Sequence, residues 1–144
     1  MLWLVPATAI IGFASGLLQW APALDEATFR LALIAIVAPA LGEELLFRAA
    51  MLPAPQLDSA IPWRAILWST ALFIAWHPVQ VFIHGEGWAR IVLDPAFLVC
   101  AGLLGIAGAR LYWRSGSIWP AVLLHWVVVV AWKALFGAPS PWSA

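Results

Sequence analysis

The sequence predicts an all-α fold, a polytopic helical bundle in a lipid bilayer, on three observations. Of 144 residues, 65% are hydrophobic and only 10% charged, and the mean hydropathy is +0.96. The apolar residues fall into five long runs, separated by short breaks rich in Pro, Gly and polar side chains. Tryptophan occurs 11 times, and Trp3, Trp20, Trp63, Trp88, Trp113 and Trp119 stand near the ends of those runs, where an amphipathic ring suits the headgroup boundary. A soluble domain carries about 25% charged residues, so a soluble fold of this composition would leave large apolar areas in water. Seven basic and seven acidic side chains cancel to a net charge of zero. That lacks the basic excess phosphate neutralisation requires, and excludes nucleic acid as an expected partner. The lone Cys100 excludes an internal disulfide framework and a cysteine-rich zinc site, and reads as packing among Leu98, Val99 and Leu103.

A membrane-crossing helix needs about 20 largely apolar residues, and the runs at 2–21, 29–52, 63–83, 95–113 and 118–136 meet that length. The first lacks a basic leader and is too long for a signal-peptide core, so it reads as a retained helix. Pro22, Asp25 and Glu26 break the chain after it, and Pro53, Pro55, Asp58 and Pro62 after the second run. His84, Gly85, Glu86, Gly87 and Asp94 form the third break, with His84 and Glu86 facing water in a connection able to gate access. In the fourth run Gly102, Gly105, Gly108 and Ala109 give the small-residue spacing that lets helix backbones approach closely. Ser115, Gly116 and Ser117 turn the chain into the fifth. Arg64, Arg110 and Arg114 fall toward one membrane face and Arg30, Arg90 and Lys133 toward the other, so the positive-inside rule sets no orientation. The whole chain, 1–144, reads as a single membrane domain.

An ionisable side chain inside such a span costs about 2.5 to 3.5 kcal/mol on insertion scales, and so marks function by default. Five stand at depth: Glu43, Glu44 and Arg48 in the second run, His77 in the third and His125 in the fifth. At a rise of about 1.5 Å per residue, Glu43 lies roughly 15 Å before Pro53, His77 roughly 21 Å after Trp63, and His125 roughly 10 Å after Ile118. Pro53, Trp63 and Ile118 share one membrane face, so three separate segments bring a carboxylate and two imidazoles to overlapping depths. Glu44 and Arg48, four apart, share a helix face and can pair. Glu43, turned about 100° away on the side of Phe47, stays available for chemistry.

A carboxylate beside an imidazole can hold and deprotonate water. One carboxylate and two histidines, Glu43, His77 and His125, also match the ligand set of a catalytic zinc with an open fourth position. Either arrangement hydrolyses. An interhelical hydrogen-bonding role for each histidine, and a proton or ion pathway, use the same residue types.

The ordered motifs resemble the CAAX protease and bacteriocin-processing (CPBP) family of intramembrane proteases, related to the CAAX prenyl endopeptidases. Glu43-Glu44-Leu45-Leu46-Phe47-Arg48 matches its Glu-Glu-x-x-x-Arg motif, and Phe73-Ile74-Ala75-Trp76-His77 its Phe-x-x-x-His motif. Ser115-Gly116-Ser117-Ile118-Trp119-Pro120 followed by His125 matches the third, and the resemblance spans 34–132. It implies that Glu43 and His77 position and activate the attacking water, that Glu44 and Arg48 support them, and that His125 helps bind the scissile carbonyl and its oxyanion. The family pattern places Asn or a similar polar residue four positions after that histidine. Here Val129 stands there, with Lys133 one turn further as a substitute donor.

The activity implied is hydrolysis of a peptide bond in a membrane-anchored or lipidated protein, without an acyl-enzyme, since no Ser or Cys lies among the motif residues. The cofactor expectation is either none or a divalent metal, zinc, held by Glu43, His77 and His125. The expected location is a bacterial or archaeal inner membrane, and the alternative is a non-catalytic immunity or protein-binding member of the family.

Overall fold

The computed structural model describes residues 3–55, 59–84 and 87–138. Asp58, Gly85, Glu86 and the side chains of His84 and Trp88 lie outside the described residues. The described chain is all helical. Helices α1 (Leu4–Ser15) and α2 (Glu26–Ala35) lead into a π-helical turn at Ile36–Leu41, a single turn α3 (Gly42–Glu44) and a second π-helical stretch at Leu45–Ala50. Then follow α4 (Trp63–His84), a 3₁₀ segment at Trp88–Leu93, α5 (Pro95–Ser115) and α6 (Trp119–Leu135).

Local chemistry sets these boundaries. Asp25 starts α2 by accepting from the Thr28 backbone N–H at 2.8 Å, and the same bond holds its carboxyl below the ordinary carboxylate range. Asp94 does the same for α5 through Ala96 N–H at 2.7 Å, with Pro95 in the first turn. Gly116, at φ 68°, closes α5 in the left-handed conformation open to glycine. Pro120 occupies the first turn of α6.

Three expectations change. The first run is helical only to Ser15, because Gly16 adopts φ 78° and ends the helix. The second run, read as one continuous span over 29–52, is broken. Ala38 is extended at φ −133°, ψ 114°, as the clash of a following proline ring, here Pro39, favours. The third connection is not open loop throughout, since Trp88–Leu93 coils as 3₁₀ helix before Asp94. By length and composition, the Trp63–Ile83 part of α4 and the Pro95–Ser115 helix α5 can each cross a bilayer, while α1 and α6 are apolar but shorter.

Helix α5 is the central post, packed against α1, α4 and α6. Its glycines permit this. A Cβ on Gly102 would stand 3.0 Å from Ile74, one on Gly105 3.0 Å from Thr70, and one on Gly108 3.1 Å from Glu44 Oε2. Trp126 Nε1–H on α6 donates to Ala32 O on α2 at 2.7 Å, locking those helices together. After α1 the chain runs along the end of α6: the N–H groups of Gln19, Ala21 and Ala23 donate to the carbonyls of Phe136, Leu135 and Ala134. These carbonyls would otherwise be orphaned at the helix end. Apolar side chains also cover the outside, including Phe82, Leu24 and Trp68, at 90%, 80% and 70% exposure. A lipid-facing surface has this character.

Candidate active site

The polar residues of three segments converge beside one cavity of about 820 Å³. Glu43, His77 and His125 all line it, as the depth argument requires. The break at Ala38 lets this happen, because the single turn Gly42–Glu44 begins just beyond it and presents two adjacent glutamates to different neighbours.

Glu44 points inward and is fully buried together with Arg48. Arg48 Nε lies 3.0 Å from Glu44 Oε2, an ion-pair distance at an angle that makes no hydrogen bond, and Nη2 reaches Oε1 at 3.5 Å. The pairing read from the four-residue spacing is therefore present. Arg48 also donates through Nη1 to Ser69 Oγ at 3.3 Å, stacks 4.9 Å above the Phe73 ring, and is braced by the short Ser69 Oγ–H bond to Phe47 O. On the other side, His125 Nδ1 stands 3.0 Å from Glu44 Oε1. Taken as the donor at that contact, Nδ1–H fixes the ring and leaves Nε2 toward the neighbouring glutamate.

That neighbour is Glu43. Its Oε1 accepts from Trp76 Nε1–H at 3.1 Å and from Gln80 Nε2 at 3.4 Å. Its Oε2 faces His125 Nε2 at 3.8 Å and accepts no hydrogen bond from the described residues. The carboxylate is thus held at one oxygen and open to a reactant at the other. His77 faces the cavity differently. Its Nδ1 is 2.8 Å from Phe73 O, which accepts only a proton-bearing nitrogen, so Nε2 is the acceptor. Phe73 and Phe97 flank the ring edge-on at centroid distances of 4.8 and 5.1 Å. No approach within ion-pair distance joins His77 to Glu43 among the described residues, and the imidazole beside Glu43 is that of His125.

Trp76, Gln80 and Ser69 are the site residues the sequence reasoning missed. Gln80 and Ser69 carried a signal, as polar side chains within an apolar run. Trp76 carried none beyond its place before His77. Val129 and Lys133 both line the cavity. Among the described residues, no three His, Cys, Asp or Glu side chains form a group able to hold a metal ion. Glu43, His77 and His125 share a cavity without forming a ligand set, so no step below passes through a metal.

An acid held beside imidazoles and a large apolar cavity suits hydrolysis of an apolar substrate. Comparison with curated proteins and with solved structures gives no match. The family model described as Type II CAAX prenyl endopeptidase Rce1-like matches residues 24–131, a range that holds Glu43, Glu44, Arg48, His77 and His125, and the chain belongs to that family of membrane-embedded CAAX-type peptidases.

Proposed function

We propose that the chain is an intramembrane endopeptidase, in a bacterial or archaeal inner membrane, that cleaves a membrane-anchored or lipidated protein near its C-terminus. Glu43 is the general base. The observation that carries this reading is the division of its carboxylate: Oε1 is held by Trp76 and Gln80, while Oε2 faces His125 without a hydrogen bond. A carboxylate so fixed loses little freedom when it takes a proton from water.

In the reaction, Glu43 Oε2 removes a proton as the water oxygen bonds to the scissile carbonyl carbon, and the carbonyl π electrons move to oxygen. The same proton passes from Glu43 to the amide nitrogen as the C–N bond breaks, giving a carboxylic acid and an amine. His77, its Nδ1–H committed to Phe73 O, offers Nε2 to the water. His125, as the imidazolium with Nδ1–H held by Glu44, donates Nε2–H to the carbonyl oxygen as negative charge develops there. Glu44 and Arg48 act through His125 and are positioning residues. No metal ion takes part in this scheme.

The test is Glu43→Gln, which keeps shape and loses basicity. Protein termini are compared in membranes carrying the wild-type chain or the variant at equal levels. The expected result is new termini near membrane anchors in the wild type alone, with the variant folded and inserted. Retained turnover in Glu43→Gln removes it from the role of base. Identical termini throughout favour a non-catalytic immunity or binding protein, the reading that Val129 at the polar position of the family motif supports.

A further inference from the structure

The two ends of the bundle differ in charge. Arg64 at the start of α4 and Arg110 and Arg114 in the last turns of α5 stand at one end, where the connecting segments supply a single acidic residue, Asp58. The segments at the other end supply Asp25, Glu26, Glu86 and Asp94, and Arg30 there is paired with Glu26. Among the described residues no carboxylate lies within ion-pair distance of Arg64, Arg110 or Arg114. Arg110 and Arg114 are four apart on one helix and share a face, where like charges repel. One carboxylate cannot answer three cations.

Packing holds this charge against one helix junction. Arg110 Cζ lies 5.5 Å from the centroid of the Trp63 ring, and its Nε is buried yet donates no hydrogen bond to the described residues. Ala109 of α5 and Ile66 of α4 pack together beside that contact. Arg64 follows Trp63 in the chain and is exposed. One turn further into the bilayer come Leu67 and Trp68, at 55% and 70% exposure. Four-residue spacing puts Leu67 on the face of Trp63 and Trp68 on the face of Arg64. Cations at the end of the bundle with a bare apolar face directly beneath them match the shape of a phospholipid, headgroup above and acyl chain below. A free phosphate would answer the cations and leave the apolar face uncovered.

We infer that Arg64, Trp63 and Arg110 form a binding site for the phosphate of an anionic phospholipid whose acyl chain lies along Leu67 and Trp68. The uncompensated charge selects a lipid of net negative charge over a zwitterionic one, in which an ammonium group offsets the phosphate. A lipid so held bridges α4 and α5 and relieves the repulsion between Arg110 and Arg114. None of these residues lines the cavity beside Glu43, so the inference stands apart from the peptidase reading.

The experiment adds palmitoyl-oleoyl phosphatidylglycerol or the matching phosphatidylcholine to the full chain in a non-ionic detergent, and reads the apparent affinity of each from the rise in unfolding temperature. An arginine near an anionic lipid surface contributes about fivefold, so phosphatidylglycerol should bind at least about tenfold more tightly. Arg64→Gln, at an exposed position, should cut that preference by about fivefold. The double variant Arg64→Gln/Arg110→Gln should erase it, while Arg90→Gln, at the other end of the bundle, should leave it intact. Equal binding of the two lipids by the wild-type chain overturns the inference, as does a preference unchanged in Arg64→Gln or one that falls as far in Arg90→Gln. Should the double variant fail to fold, the comparison of Arg64→Gln with Arg90→Gln decides alone. Glycerol 3-phosphate at the same concentrations should produce no shift. A shift equal to that of phosphatidylglycerol would make this a site for a soluble phosphate and overturn the lipid assignment.

Discussion

Glu43 and Glu44 are neighbours in sequence and opposites in environment. Glu44 is sealed, with 1% of its side chain exposed, between Arg48 and His125. Glu43 keeps 12% exposed on the cavity wall and shares only one oxygen with hydrogen-bond donors. A single residue step, about 100° around the helix, separates the two roles: Glu44 ties Arg48 of its own segment to His125 of α6, and Glu43 is the carboxylate we propose as the base. Burial of a charge in lipid is tolerable in the first case because the charge is answered, and useful in the second because it is answered incompletely.

The sharpest way to break that contrast is to remove Arg48. Arg48→Met keeps volume and takes the arginine partner from the buried Glu44, leaving it only the His125 contact, and breaking a buried pair in this way costs about 3 to 5 kcal/mol. Thermal unfolding of the detergent-solubilised chain should fall steeply in this variant, while Glu43→Gln should unfold close to wild type. Equal loss in both would mean that the two glutamates do not divide the work as described.

Gly108 tests the same contrast from α5. A methyl group there would stand 3.1 Å from Glu44 Oε2 and 3.4 Å from Arg48 Nε, so Gly108→Ala pushes on the ion pair without touching the cavity. Overpacking of this kind costs about 1 to 3 kcal/mol. Because Glu44 also holds His125, cleavage should drop with substrate affinity held, a fall in kcat rather than a rise in KM. A pure stability loss, with the kinetics of the folded fraction intact, would detach Glu44 from the site.

Much of this arrangement was legible in the chain. Trp63, Pro95 and Trp119 stand at the starts of α4, α5 and α6, since apolar length and capping residues are local properties. The Glu44–Arg48 pair followed from helical spacing, and the meeting of Glu43 and His125 from depth. What stayed hidden depended on neighbours distant in sequence. Depth and spacing cannot say that Trp76 and Gln80, rather than His77, hydrogen-bond Glu43, because that turns on the rotation of α4 about its own axis. The glycines of α5 read as helix-contact residues, and only the packed structure reveals that Gly108 makes room for an ion pair. The break at Ala38 had its signal in Pro39, outweighed by the apolar length of the run around it.

A third carboxylate completes the comparison from outside the bundle. Asp25 is exposed and works by a single local bond, accepting from Thr28 N–H at the start of α2. That bond holds its carboxyl below the ordinary 3.8, so its stabilisation is full above that value and is lost as pH falls through the lower folded-state one. Asp25→Asn keeps a capping oxygen at every pH. The difference in unfolding temperature between wild type and Asp25→Asn should be flat above the carboxylate range and shift against the wild type only in acid. This effect should be the smallest of the set, because water screens and replaces an exposed cap, whereas nothing replaces Arg48 beside Glu44. A difference already changing near neutrality would place Asp25 in contact with some buried charge, and would blur the distinction between carboxylates that cap, carboxylates that brace and the one proposed to react.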